Sequence, residues 1–308
     1  MSESFAAPAR ELVDWYARCG RALPWRKPGT TAWGVLVSEV MSQQTPVARV
    51  APIWQEWMAR WPTPADFAAA SRAEVLRAWG NLGYPRRALR LHACAAEITQ
   101  RFSGEVPSEV ATLEGLPGIG TYTARAVCCF HFGQNVPVVD TNVRRVYSRL
   151  IDAAFLAGPA RASDLAKVQA LLPEDSGRPA APGTKPGQVT GPEVSVALME
   201  LGALVCTAKS PRCAECPVRP YCAWVKAGRP EPSVQEAAAK RRVQKFAGTD
   251  RQVRGKIMAA LRARDEPLDM SEIDLVWPDA AQRSRCLYSL IEDGLACQDE
   301  AGRVCLPD

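Results

Sequence analysis

Histidine is almost missing from this chain: among 308 residues there are two, His92 and His131. A Ser-His-Asp triad or a histidine metal site therefore has little to work with, and acid–base chemistry falls to carboxylates. His92 lies in a helical run and reads as a packed or surface residue rather than a catalyst. No stretch of eighteen apolar residues occurs, which excludes a membrane-spanning helix. The start, "MSESFAAPARELVDWYARCG", mixes acids and bases without the apolar segment of a signal peptide, so export is not expected. Alternating strand patterns of useful length are missing, as is any repeat of solenoid period. Neither sign of charge dominates, the net being +5. Residues 231–308 carry 12 Lys and Arg against 14 Asp and Glu, leaving 26 against 19 in residues 1–230. That excess permits a polyanionic partner without demanding one.

Cysteine, by contrast, is plentiful. There are eleven, an odd number, and four of them crowd into "CTAKSPRCAECPVRPYC": Cys206, Cys213, Cys216 and Cys222. With no export signal the thiols read as reduced and the protein as cytoplasmic, which argues against disulfides. Four thiolates at C-x6-C-x2-C-x5-C suit zinc or an iron–sulfur cluster. Zinc ribbons usually present two C-x2-C knuckles, and here only Cys213 and Cys216 form one.

The pattern along the chain is mostly α. "WGVLVSEVMSQQ" (33–44), "PVARVAPIWQEWMARW" (46–61), "SRAEVLRAWGNLG" (71–83) and "RRALRLHACAAEITQRF" (86–102) repeat apolar residues three and four apart. Two Pro/Gly-rich breaks interrupt it. Residues 173–193 have too few apolar residues to pack and read as a long loop, and 227–233 as a linker. Beyond that linker three helical segments and two short strands turning at Ala301–Gly302 suggest a small winged-helix-like module. It shows no evident purine pocket. Its leading stretch, residues 237–256, holds seven Lys and Arg against one acid and reads either as a phosphate clamp or as a solvated helix face.

Two carboxylates and one loop carry chemical interest. Glu39 lies beside the stripe of Leu36, Val40 and Gln43, flanked by Val37 and Met41. Partial desolvation there would raise its pKa and keep it a proton donor, whereas pairing with an arginine at the helix edge would make it structural. Asp140, in "PVVDTNVRRV", serves equally well as the N-cap of the following helix or as a catalytic carboxylate. "LPGIGTYTA" (116–124) places Gly118 and Gly120 between two helical segments. Its glycines allow a tight hairpin, and the amides of the next helix start can grip a phosphate.

Seven motifs in this order resemble one family: "LPWR" (23–26), "SEVMSQQT" (38–45), "NLGYPRRALRLH" (81–92), "LPGIGTYTA", "VDTNV" (139–143), "LMELGALVC" (198–206) and the cysteine run. Over residues 12–224 the chain resembles the helix-hairpin-helix DNA glycosylases that carry a [4Fe–4S] cluster, most closely the adenine DNA glycosylase (MutY) family. The resemblance implies a six-helix barrel with the helix-hairpin-helix motif over residues 31–142. It implies a helical iron–sulfur domain from residues 1–30 and 143–228, then a linker (229–244) and the C-terminal module (245–308). It further implies a [4Fe–4S] cluster on the four cysteines and a nucleoid-associated monomer acting on double-stranded DNA with an adenine mismatch, without a membrane.

Residue by residue, the resemblance makes Glu39 the acid that protonates adenine N7 and Asp140 the group that stabilises or traps the sugar cation, with Asn142 orienting it. Gln44 and Tyr84 match residues that wedge into the duplex. Gln43 and Arg86, in the same motifs, join the expected DNA contacts. Trp25 and Arg26 match the wall of the adenine pocket. Gly118, Gly120, Lys209 and Arg212 would face phosphates. Tyr122 stands where relatives of the endonuclease III type place a lysine that forms a Schiff base, so strand cleavage is not expected. Val196 stands where many members carry Glu or Gln. The tail is too short for the nucleotide-hydrolase-like domain of many members. Two alternatives remain: an endonuclease III-like pyrimidine-damage glycosylase and lyase, and a non-enzymatic iron–sulfur DNA-binding or redox-sensing protein.

Overall fold

The computed structural model describes residues 5–173, 189–232 and 246–308. Among these, helices α1 (Ala6–Cys19), α2 (Ala32–Ser42), α3 (Val47–Arg60), α4 (Pro64–Ala68) and α5 (Arg72–Trp79) come first. Then follow α6 (Arg86–Arg101), α7 (Val110–Glu114), α8 (Thr121–Phe130), α9 (Thr141–Leu150), α10 (Ser163–Gln169), α11 (Gly191–Leu204) and α12 (Ala223–Lys226). The C-terminal segment holds α13 (Asp250–Arg262), α14 (Met270–Asp274), α15 (Ala280–Glu292) and the strands β1 (Cys297–Gln298) and β2 (Val304–Cys305). The chain is mostly α, as its periodicity indicates.

These elements fall into two compact units. The first gathers Met1–Val35, Ser108–Glu114 and Gly120–Arg242. In it α9 and α1 pack on α11, and α7 on α8. Leu12, Val143, Val146, Leu198 and Leu201 fill one core, all at most 2% exposed. α11 begins at Gly191, inside the segment 173–193 that composition assigns to a loop. Thr190 and Glu193 form a reciprocal capping box there, and Gly191 and Pro192 simply occupy the first turn. The rest of that loop, 174–188, lies outside the described residues.

The second unit gathers Leu36–Pro107, Gly115–Ile119 and Val243–Asp308. Its helices α4 and α5 pack on α6. α6 presents Ala88, Leu91, Ala95 and Ile98, three and four apart, on its buried face. Trp57, nearly inaccessible, lies at the centre of an aromatic core. Its ring meets Trp61 edge-on at 5.1 Å, Phe67 at 4.9 Å and Trp79 at 5.7 Å. His92 packs edge-on to Phe67 and its Nε2 reaches the Ala70 carbonyl at 2.9 Å, which makes it a structural residue. Two capping boxes, Thr63 with Asp66 and Ser71 with Glu74, start α4 and α5. α4 is only five residues long, too short for a period to register in sequence.

The C-terminal segment shares a core with the barrel helices of its own unit. Val253, Ile257 and Met258 of α13 and Leu287 and Leu290 of α15 bury together with Leu76 of α5. β1 and β2 pair antiparallel with Cys297 opposite Cys305, and Gly302 turns the hairpin at a φ of 78°. Residues 233–245, which include most of the linker and the first part of the basic stretch, lie outside the described residues.

Trp57→Ala should lower the denaturant midpoint by the equivalent of about 3–5 kcal/mol, because its cavity cannot collapse between three aromatic rings. Leu275, 87% exposed, gives the contrast: Leu275→Ala should stay within about 0.5 kcal/mol. Equilibrium unfolding in urea compares the two.

Candidate active site and cluster pocket

Four thiols meet at one place in the first unit. Cys206 follows α11, Cys213 opens a short turn of helix, and Cys216 and Cys222 flank a second such turn at Arg219–Tyr221. All four line one small cavity with Val205, Pro211, Trp224 and Arg149. They ring this space; among the described residues no three His, Cys, Asp or Glu converge on a single-ion position. Burial pushes the Cys216 thiol up to about 12 and raises Cys222. Four thiolates could not persist here without cationic charge among them.

Arg149 supplies the decisive observation about this pocket. It is 1% exposed and donates to the Thr207 carbonyl at 2.7 Å, the Ala208 carbonyl at 3.2 Å and Cys206 Sγ at 3.4 Å. Its guanidinium also stacks 4.2 Å from the Phe155 ring. No carboxylate pairs with it among the described residues. A buried cation of this kind calls for a compensating anion. An iron–sulfur cluster on four thiolates is such an anion, so the residues present fit a [4Fe–4S] cluster.

Asp140 sits on the same framework. It is the N-cap of α9, its Oδ1 accepting from the Val143 amide at 2.7 Å. Its Oδ2 accepts from Asn142 Nδ2 at 2.7 Å. Burial raises its pKa, while the Val143 amide and the Asn142 side chain hold the charged form against that. Arg145 grips the other end of Asn142, donating to its Oδ1 at 2.7 Å, to the Gly202 carbonyl at 2.7 Å and to the Cys206 carbonyl at 2.7 Å. A continuous hydrogen-bonded path thus runs from a cluster cysteine to the Asp140 carboxylate. Gly202 is what lets α11 approach: a Cβ there would lie 2.7 Å from Asn142 Cβ and 2.9 Å from its carbonyl.

Trp25 and Arg26 occupy a helical turn, Trp25 buried and Arg26 half-buried. Arg26 pairs with Glu200 at 3.0 Å and lies 5.6 Å from the Tyr16 ring. Glu200 is fully buried and also takes Arg21 Nε at 2.7 Å, Arg21 Nη2 at 2.8 Å and the Arg21 amide at 2.9 Å. Burial alone would raise its pKa, but the hydrogen bonds from Arg21 and Arg26 outweigh that and hold it at about 2. The Tyr122 hydroxyl points to Met199 Sδ at 3.9 Å. Lys209 is exposed at its loop tip. Arg212 is exposed too, but its guanidinium holds the Leu204 carbonyl at 2.6 Å and Glu215 at 2.9 Å. Gly120 caps α8, whose first amides receive no side-chain cap.

The remaining expected residues belong to the second unit. Glu39 is half-buried on α2, between the buried Leu36, Val37, Val40 and Met41. Gln44 and Tyr84 both hold positive φ, 55° and 49°, and Tyr84 stays 46% exposed. Their loops are tied by Arg87, which donates to the carbonyls of Val40 (2.9 Å), Gln43 and Gly83 (3.0 Å). The Thr45 hydroxyl adds a bond to the Leu82 carbonyl at 3.0 Å. Arg86 pairs with Asp293 at 3.1 Å. Gly118, at a φ of 76°, brings its backbone onto the stem of Arg90.

Residues 37–154 match the HhH-GPD superfamily of base excision DNA repair proteins. Residues 206–222 match the iron–sulfur binding domain of endonuclease III. The adenine DNA glycosylase of Mycolicibacterium smegmatis is 54% identical over 96% of this chain and 94% of its own length. That of Mycobacterium tuberculosis is 51% identical over 96% of this chain and 92% of its own. The chain belongs to the adenine DNA glycosylase family. The human adenine DNA glycosylase is 40% identical over 68% of the chain, covering 38% of its own length. Among solved structures, a thermostable thymine-DNA glycosylase (TM-score 0.62, 20% identity, 73% of this chain, 97% of that one) shares the fold. So does endonuclease III in a non-covalent DNA complex (TM-score 0.56, 24% identity, 72% of this chain, 96% of that one).

For this adenine DNA glycosylase family member, four side chains beyond the expected set matter: Arg87, Arg145, Arg149 and Glu200. Glu200 lies inside "LMELGALVC" and Arg145 and Arg149 inside "NVRRVYSRL". Their sequence signal was a charged residue on an otherwise packed helix, which only tertiary contacts convert into a role.

Iron analysis should find about four irons per chain. Cys213→Ser should lose them and Cys94→Ser keep them, since Cys94 is buried in α6 and is not among the residues that line the pocket. Glu200→Gln should cost about 3 kcal/mol at neutral pH, because two guanidiniums lose their buried partner. Glu200 is held below its ordinary 4.5. Its stabilisation is therefore full above 4.5 and disappears as pH falls towards about 2. Glu200→Gln should flatten that acid limb in thermal unfolding measured against pH.

Proposed function

We propose that this chain removes adenine mispaired with 8-oxoguanine or guanine and does not itself cut the strand. Glu39 donates a proton to adenine N7, the C1′–N9 bond breaks, and its electron pair leaves with the base. Asp140 stabilises the sugar cation at C1′ or traps it, and water then adds there, returning a proton to Glu39. The adenine must leave the stack to reach these groups, at a cost of a few kcal/mol. Gln44 and Tyr84, projecting in left-handed conformations, take up the space it vacates. Trp25 and Arg26 wall the base pocket, and the uncapped start of α8 at Gly118–Gly120 holds a phosphate with Lys209 nearby in role.

The observation that supports this reading most is the setting of Asp140. It is a half-buried carboxylate whose two oxygens are each fixed by an amide donor at 2.7 Å. An N-cap needs only one such bond; the second, from Asn142, itself held by Arg145, orients the carboxylate. Tyr122 supports hydrolysis without lyase chemistry, since a phenol forms no imine with the sugar aldehyde. The cysteines Cys206, Cys213, Cys216 and Cys222 hold the cluster, which supplies a cross-link for their loop.

Asp140→Asn separates chemistry from stability. Asparagine caps helices as well as aspartate does, and the native carboxyl has a raised pKa. That shift costs stability as pH rises above the unfolded value, and the variant is free of it. The new amide, however, turns an N–H towards the Asn142 Nδ2 donor, at a cost of about 1–3 kcal/mol. Asp140→Asn should therefore stay folded with a modestly lower melting temperature and lose adenine release by at least about 10²-fold in single turnover. Glu39→Gln should abolish release on the same duplex while retaining binding. Strand breaks in the native reaction should appear only after alkali. Efficient nicking without alkali would reverse the assignment of Tyr122.

A further inference from the structure

The second unit contains a groove of about 820 Å³, built by the Gln43–Gln44 and Gly80–Pro85 loops, α6 and the C-terminal helix α13. Seven arginines line it and a single carboxylate, Asp293. That carboxylate pairs with both Arg86 and Arg254. Arg49, Arg90 and Arg251 are exposed and find no acidic partner among the described residues. Yet the C-terminal segment carries more acids than bases overall. On α13, Arg251, Arg254 and Arg262 follow one another three and eight residues apart and share the groove face, while Lys256 turns away onto the Trp277 ring. Three of the eight Lys and Arg in residues 246–308 thus share one face of α13.

The groove abuts the wedge loops. The Arg251 guanidinium lies 5.1 Å from the Tyr84 ring and 5.8 Å from that of Phe246, itself 55% exposed. Arg90 continues the surface to the hairpin, its stem backing Gly118. Guanidiniums that are exposed, without acidic partners and gathered around one groove beside a projecting aromatic suit a polyanion.

We infer that α13 completes a phosphate groove in which the backbone of duplex DNA lies beside Gln44 and Tyr84, with Arg49, Arg90 and Arg251 as its contacts. The inference rests on the proposed role of Gln44 and Tyr84 at DNA, and adds the C-terminal segment to the binding surface. Contacts of this kind position the duplex without reading its bases.

The test measures affinity against salt concentration for the full-length, iron-loaded protein on a fully matched duplex and on an adenine:8-oxoguanine duplex. Each phosphate contact contributes about −0.9 to the slope of log affinity on log salt. The double variant R49Q/R251Q should flatten that slope by about 2 on both duplexes alike. Lys256→Gln, which removes the same charge from the other side of α13, should leave the slope unchanged. An unaltered slope in the double variant would overturn the groove, as would an equal flattening by Lys256→Gln, which would mean net charge alone. Loss confined to the 8-oxoguanine duplex would overturn backbone contact in favour of base reading. The matched duplex contains nothing to excise, so a failure of the excision chemistry leaves this result untouched and is detected separately by adenine release.

Discussion

Arg145 is the interaction on which the first unit turns. One guanidinium holds the Cys206 carbonyl, the Gly202 carbonyl and the Asn142 side chain, each at 2.7 Å. Asn142 in turn holds Asp140. The place of the carboxylate is therefore set by the end of α11 and by the cysteine loop as much as by α9, which it caps. Gly202 belongs to the same constraint, because any side chain there would push α11 off Asn142. A cluster bound at Cys206 would fix one end of this path, which ties the four cysteines to the position of the Asp140 carboxylate.

Buried charge is used twice more, each time with a different settlement. Glu200 is surrounded by Arg21 and Arg26 and stays ionised down to a pH of about 2, locking the "LPWR" turn onto α11. Arg149 has no carboxylate and spends its hydrogen bonds on carbonyls and a sulfur, which is consistent with an anionic cluster beside it. Such sites are costly to leave half-satisfied, so substitution of one partner reaches further than its contacts suggest.

In the second unit the organising cation is Arg87. By holding carbonyls of both the Gln43–Thr45 and the Leu82–Gly83 loops, it presents Gln44 and Tyr84 in conformations that non-glycine residues seldom adopt. Strain of that sort survives only where the surroundings impose it. The arginines of the adjoining groove then extend a positively charged surface from these loops onto α13.

The sequence alone determined the helical class, because apolar residues recur three and four apart, and it set four thiols along one loop and glycines where the chain must turn. Spacing left zinc, and structural roles for Glu39 and Asp140, open; the cluster and the catalytic roles expected of the two carboxylates came from the resemblance of seven motifs to one family. Length hid α4, and composition hid the start of α11, since Pro and Gly serve a helix's first turn as well as a loop. Only the tertiary structure decided what the arginines do. Arg86 and Arg87 are neighbours in sequence, but one pairs with Asp293 across the groove and the other is consumed by loop carbonyls. Arg145 and Arg149 lie one turn apart, one serving Asn142 and the other the cluster pocket. A guanidinium on a long flexible stem can satisfy itself in many directions, and which partners are within reach is a property of folded neighbours, not of the residues beside it in the chain.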